Sequence, residues 1–190
     1  MIKRLTYLPR WLAMVLVMAM AAVLTSCSAD IDDYQGTTPQ FDLFDYFSGE
    51  SEAWGMVQDY RHQQTRRFHV TLHGVVKQNQ LILDEQFVYD DGEKESRVWT
   101  ITRVEQMRYI GTANGVIGEA VGEEMGNALR WQYRFHLKTQ SYDIEVDFDD
   151  WLYRQDDLHL FNTTTISKWG ITLGKVTLFF AKKPLDSKTM

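Results

Sequence analysis

Side chains able to do acid–base, nucleophilic or metal chemistry are sparse in this 190-residue chain, and their spacing fits none of the common catalytic layouts. His69 and His73 fall on one face of an extended segment, about 13 Å apart at ~3.3 Å per residue, too far to share a metal ion without other ligands. The adjacent acids Asp90-Asp91, Asp149-Asp150 and Asp156-Asp157 lack the alternate spacing and closing Glu of an EF-hand loop and read as turn and strand-end residues. There is no Gly-x-Ser-x-Gly elbow and no His-Glu-x-x-His. No catalytic residue, metal ligand or cofactor is therefore expected. A dispersed set such as His136, Asp149 and Asp150 would serve an accessory lipid-modifying hydrolase or isomerase only if folding brought it together. Between Tyr109 and Asn127 the small residues Gly111, Ala113, Gly115, Gly118, Ala120, Gly122 and Gly126 accumulate. Read as a strand, Gly118, Ala120 and Gly122 share a face with no bulk, so either the strand bends there or the gap forms a ligand cavity. The stretch lacks the Gly-Lys-Ser/Thr ending of a phosphate loop.

The single cysteine, Cys27, excludes a disulfide framework and argues against a cysteine-based zinc site. Residues 1–26 carry Lys3, Arg4 and Arg10, no acid, and an apolar run over residues 11–23. That run is shorter than the ~20 residues a spanning helix needs and suits the apolar core of a signal peptide. The sequence Leu24-Thr25-Ser26-Cys27 resembles the lipobox of bacterial lipoproteins, in which the cysteine thiol is diacylglycerated, cleavage falls before it and the new amino terminus is acylated. The resemblance implies membrane attachment through lipidated Cys27, and Ser28 after it implies the outer membrane, facing the periplasm; multiple acyl chains hold stably where one does not. Beyond the leader, 17 Lys and Arg face 26 Asp and Glu, a net charge of −9, which speaks against a nucleic-acid partner. Residues 27–38 are polar and acidic and read as a lipidated tether.

From Thr38-Pro39 to Gly49, with Phe41, Phe44 and Phe47 on one side, the chain predicts a short helix capped at Thr38. After Gly49 the pattern turns to period two with turn signals about every ten residues, which predicts an all-β, antiparallel barrel of about 8–10 strands over residues 39–183, followed by a tail at 184–190. Strands are expected near residues 67–73, 81–89, 97–105, 158–166 and 175–182, with Asp91-Gly92 at a hairpin. The clearest hairpin spans residues 129–149, with Leu129, Trp131, Tyr133, Phe135 and Leu137 on one face opposite Tyr142, Ile144, Val146 and Phe148. With Thr139-Gln140 at the turn, Trp131 meets Phe148, Tyr133 meets Val146, Arg134 meets Glu145 and Arg130 meets Asp149, a register held to within two residues by the need to match both faces. Phe, Tyr and Trp make up 13% of the chain. Such rings supply core area, and a barrel of this size either fills itself with them or holds one small ligand. The residues expected to face inward and line such a pocket are Trp99, Trp131, Tyr133, Phe135 and Phe148.

Phe41-Asp42-Leu43, Tyr46-Phe47, Gly49, Trp54-Gly55, Gln58-Asp59, Arg66-Arg67-Phe68, Tyr89-Asp90-Asp91-Gly92-Glu93, Gly126-Asn127-Ala128 and Asp149-Asp150-Trp151 together resemble a family of uncharacterised Gram-negative lipoproteins, a domain of unknown function. That resemblance carries no activity with it. The opening helix, Gly49 and a Trp at the start of the first strand are also similar to the bacterial lipocalins, outer-membrane lipoproteins with a barrel for apolar ligands, although lipocalins have Gly-x-Trp where here four residues separate Gly49 from Trp54. The expectation is a lipocalin-like envelope lipoprotein that binds or carries a lipid or other apolar molecule. The alternatives are a structural or assembly module contacting a protein partner, and the lipid-modifying enzyme.

Overall fold

A computed structural model describes residues 29–138 and 143–183. Cys27 and the leader, the turn expected at Thr139-Gln140 and the tail expected at 184–190 lie outside the described residues. The chain divides into two compact units, Met1–Asp30 and Ile31–Met190, and the strands all belong to the second.

Ten strands are found among the described residues: β1 (Gly49–Asp59), β2 (Gln64–Lys77), β3 (Gln80–Tyr89), β4 (Lys94–Glu105), β5 (Arg108–Thr112), β6 (Val116–Met125), β7 (Ala128–Lys138), β8 (Asp143–Arg154), β9 (His159–Lys168) and β10 (Ile171–Lys182). Each pairs antiparallel with the next, and β1 pairs with β10 to close the barrel. Closure leaves no unpaired edge, which removes the usual template for edge-to-edge association. Period two along the sequence becomes inside and outside along each strand. In β4, Trp99 and Ile101 are buried while their neighbour Val98 is exposed.

One end is sealed by the segment before β1. Helix α1 (Leu43–Phe47) is a single short turn capped by Asp42, whose carboxylate accepts from the amides of Phe44 (2.9 Å) and Asp45 (3.0 Å). The expected cap at Thr38 is thus corrected to Asp42, where the backbone is extended and the side chain sits two and three residues ahead of unpaired amides. Phe44 tilts against Tyr109 and Phe47 meets Phe180 edge-on at 5.7 Å. The Arg103 guanidinium holds Asp42 through both carboxylate oxygens at 2.8 and 2.9 Å, and buried Glu124 accepts from the Leu43 amide at 3.2 Å. Glycine is required at position 74: a Cβ there would lie 1.7 Å from the Phe47 carbonyl oxygen, so the plug sits directly on this backbone.

The stretch read as a tether is docked from Ile31 onward. A 3-10 turn at Ile31–Tyr34 buries Ile31. The Tyr34 ring lies 5.7 Å from Trp151 and 5.6 Å from Tyr153, and Thr37 Oγ1 accepts from the Asn127 amide at 2.9 Å.

The β7–β8 register is two residues from the expected one. Tyr133 opposes Phe148, Arg134 opposes Asp147 and Trp131 opposes Asp150. Every side chain keeps its face, because a shift of two preserves the pleat. The shift lets Tyr133 and Phe148 stack at 5.0 Å, while Arg130 still reaches Asp149 diagonally, at 2.8 Å from both Nε and Nη2.

Candidate functional site

The middle of the barrel is lined by inward-facing residues of β3, β4, β7, β8 and β9. All five aromatic residues expected there converge. Trp99 meets Trp131 edge-on at 5.7 Å and Tyr133 at 5.4 Å; Tyr133 stacks on Phe148, and Phe135 contacts both Tyr133 (6.3 Å) and Phe148 (5.6 Å). Trp99, Trp131 and Phe135 are buried, whereas Tyr133 and Phe148 are half-buried although they point inward.

The small-residue face is what seats these rings. A Cβ on Gly122 or Gly111 would stand 2.2 or 2.6 Å from the Trp131 indole, and one on Gly115 would stand 2.5 Å from the Phe135 ring. Gly118 does not share that face. It is exposed with a positive φ of 74°, and β6 breaks register with β7 between Ile117 and Val121. Of the two alternatives the bend is the one found, at Gly118, and the space over Gly111 and Gly122 is taken by the Trp131 ring.

Among these rings sits a charged group that residue-by-residue reading passes over. Glu85 on β3 opposes Arg97 on β4, and Asp150 on β8 opposes Trp131 on one side and Thr164 of β9 on the other. The Arg97 guanidinium lies 5.3 Å from the Phe87 ring and 5.0 Å from the Phe135 ring, and donates to Glu95 at 2.9 Å. The other oxygen of Glu95 accepts from Tyr89 Oη at 2.9 Å, and the Tyr89 ring carries the Arg66 guanidinium at 3.5 Å. A polar ladder therefore runs from mid-barrel to the Asp91–Glu93 turn, where Arg66 meets both acids. The signal for these groups is phase: Glu85 alternates with Leu83 and Phe87, Arg97 with Trp99, and Asp150 with Val146 and Phe148, all on inner faces.

Burial pushes the Glu85 carboxyl up to about 7 against the pull of Arg97 and Trp99. It pushes Asp150 to about 7 as well, with Thr164, Tyr133 and Arg97 acting the other way. Burial and the Asp150 charge raise the Tyr133 phenol well above its ordinary range. Arg97 is pulled down by burial but held above its usual value by Glu85, Tyr133 and Glu95. Glu85, Arg97, Tyr133 and Asp150 retain accessible surface while facing inward, yet the two carboxyls are desolvated. Their inward phase is what separates them from the acids of the outer wall.

The remaining candidates stay on the outside. His69 pairs with Glu52 at 3.2 Å and His73 with Glu50, and no cluster of His, Cys, Asp and Glu able to hold a metal ion occurs among the described residues. His136 is exposed and bonded to Asp143, and Asp149 is held by Arg130, whereas Asp150 faces inward. A depression on the outer surface is lined by Arg134, Glu145, Asp147, Lys168 and Trp169, with Arg134 and Asp147 3.8 Å apart.

A family model described as a protein of unknown function, DUF3833, matches residues 21–182. No curated protein matches the chain in sequence. Among solved structures, an S-type phycobiliprotein lyase from Guillardia theta is similar with a TM-score of 0.54 at 7% identity, covering 75% of this chain and 91% of that one. A protein of unknown function of the DUF3598 family from Nostoc punctiforme is similar with a TM-score of 0.55 at 13% identity, covering 77% of this chain and 51% of that one. At these identities the likeness is one of fold: a closed, lipocalin-like antiparallel barrel.

Proposed function

The chain belongs to the DUF3833 family of proteins of unknown function, and from the interior of its barrel we propose that it is an envelope lipoprotein that binds or carries a lipid or other apolar ligand. The observation that carries this reading is the convergence of Trp99, Trp131, Tyr133, Phe135 and Phe148 on an inner wall where Tyr133 and Phe148 keep accessible surface. Apolar linings with a few placed polar groups are the usual composition of small-molecule sites. Anchoring through Cys27 to the outer membrane, facing the periplasm, is supported by the lipobox-like sequence alone.

The test is mass spectrometry of the protein released intact under native conditions, followed by organic extraction. A stoichiometric small apolar molecule is expected, and Trp131→Ala should reduce its occupancy at least tenfold. A wild-type protein that is empty and takes up no apolar probe would overturn the reading.

A contact module of the envelope is favoured by a different feature. Trp169 (86% exposed), Tyr60 (68%) and Ile171 (65%) lie in or beside the β1–β2 and β9–β10 connections, at the end of the barrel away from α1. Cross-linking through position 169 to one stoichiometric protein would support that reading over carriage.

A further inference from the structure

The apolar-ligand reading leaves open what the polar end of such a ligand would be, and the interior has an imbalance that bears on it. Mid-barrel, three carboxyls (Glu85, Glu95 and Asp150) share one guanidinium, that of Arg97. Glu95 is fully engaged, with one oxygen on Arg97 and the other on Tyr89. Asp150 is not: its Oδ1 is buried and has no hydrogen-bond partner, and the hydroxyl of Thr164 opposite it donates to Asn162 Oδ1 at 3.3 Å. The Asn162 amide of β9 donates to the Trp151 carbonyl at 3.2 Å. A buried carboxylate oxygen without a donor is costly, and a bound donor would remove that cost.

We propose that Asp150, supported across the barrel by Glu85, receives the cationic, hydrogen-bond-donating end of an amphiphile whose apolar part lies on Trp99, Trp131, Tyr133 and Phe148. The ligand class is an apolar amine rather than a fatty acid. An anionic head entering here could reach Arg97 Nε, which is buried without an acceptor, but it also meets three carboxyls, so like-charge repulsion selects against it. An ammonium adds the donor that Asp150 Oδ1 lacks and balances the excess of acid. This rests on the apolar-ligand reading and sharpens it.

The groups facing the site are Glu85, Glu95 and Arg97 from β3 and β4, Tyr133 from β7 and Asp150 from β8, with uncharged Asn162 and Thr164 from β9 and Leu72 from β2; Asp149 lies on the outer wall, held by Arg130. Because Glu85 and Asp150 lose their protons only near neutrality while an amine stays charged well above it, amine binding strengthens as pH rises through about 7 and releases protons from the protein.

The experiment titrates the full chain in non-ionic detergent with octylamine, octanoate and 1-octanol, following Trp fluorescence at pH 5.5 and pH 8. Octylamine is expected to bind about tenfold more tightly than octanoate at pH 8 and to lose most of that margin at pH 5.5. Calorimetry at pH 7 in two buffers of different ionisation heat is expected to show proton release with the amine and none with the alcohol. Asp150→Asn is expected to bring the amine down to the affinity of the alcohol while leaving octanol binding in place. Octanoate binding as tightly as octylamine at pH 8, or amine binding to the wild type without proton release, would overturn the proposal even if the variant failed to fold. Octanol binding with no amine preference overturns the donor assignment alone. Binding of none of the three overturns the apolar-ligand reading together with it.

Discussion

Asp149 and Asp150 are neighbours in sequence and opposites in environment. Asp149 sits on the outer wall against Arg130, whereas Asp150 faces the rings and is pushed to about 7 by burial. A carboxyl whose folded pKa lies above its unfolded value binds its proton more tightly when folded. Its contribution to stability is present below about pH 4 and is lost as pH rises to about 7. Asp150→Asn removes that penalty. In denaturant titrations the variant should match the wild type near pH 4 and exceed it by of order 2 kcal/mol at pH 8; a difference independent of pH would contradict the assigned burial. Surface acids such as Asp156, lowered to about 2 by its bonds from His159 and Leu158, are common to both proteins and drop out of the comparison. Adjacent acids look alike in a sequence, and only the phase with Val146 and Phe148 separates them.

At the scale of elements, the plug and the glycine-rich strands set the dimensions of the interior. Gly74→Ala drives a methyl into the Phe47 carbonyl at 1.7 Å. Because that neighbour is backbone, α1 must lift, and a loss of about 1–3 kcal/mol by thermal denaturation is expected. Arg103→Ala removes the bidentate hold on Asp42 and leaves a partly buried cap without its counter-charge, with an expected loss of about 1–2 kcal/mol. Gly122→Ala meets the Trp131 ring instead, which can swing, so its signature should be a change in near-ultraviolet circular dichroism with a smaller loss of stability. The strands themselves are legible in the sequence, because alternation along β4, β7 and β8 is a local property. The cap is not, because Thr38-Pro39 offers the usual cap-and-proline signature, while the Asp42 cap is fixed by Arg103, 61 residues away. The docking of Ile31–Tyr34 is illegible for the same reason: Tyr34 is polar in a polar stretch, and its partners Trp151 and Tyr153 are far along the chain.

At the scale of the whole barrel, ten closed strands make an interior wide enough to need either filling or an occupant. At the end near α1, Phe44 packs on Tyr109 and Phe47 on Phe180, whereas the middle is lined by rings, half-buried polar groups and an unpartnered carboxylate oxygen. If Cys27 carries the anchor, Cys27→Ser should move the protein from the membrane to the soluble fraction, and a variant still membrane-bound at full length would contradict lipidation there. What the interior holds is read from the mass of the wild-type protein under native conditions beside its mass when denatured. A stoichiometric excess of a few hundred daltons is expected under native conditions, lost on denaturation and greatly reduced in Trp131→Ala. Identical native and denatured masses, together with no uptake of apolar probes, would contradict it.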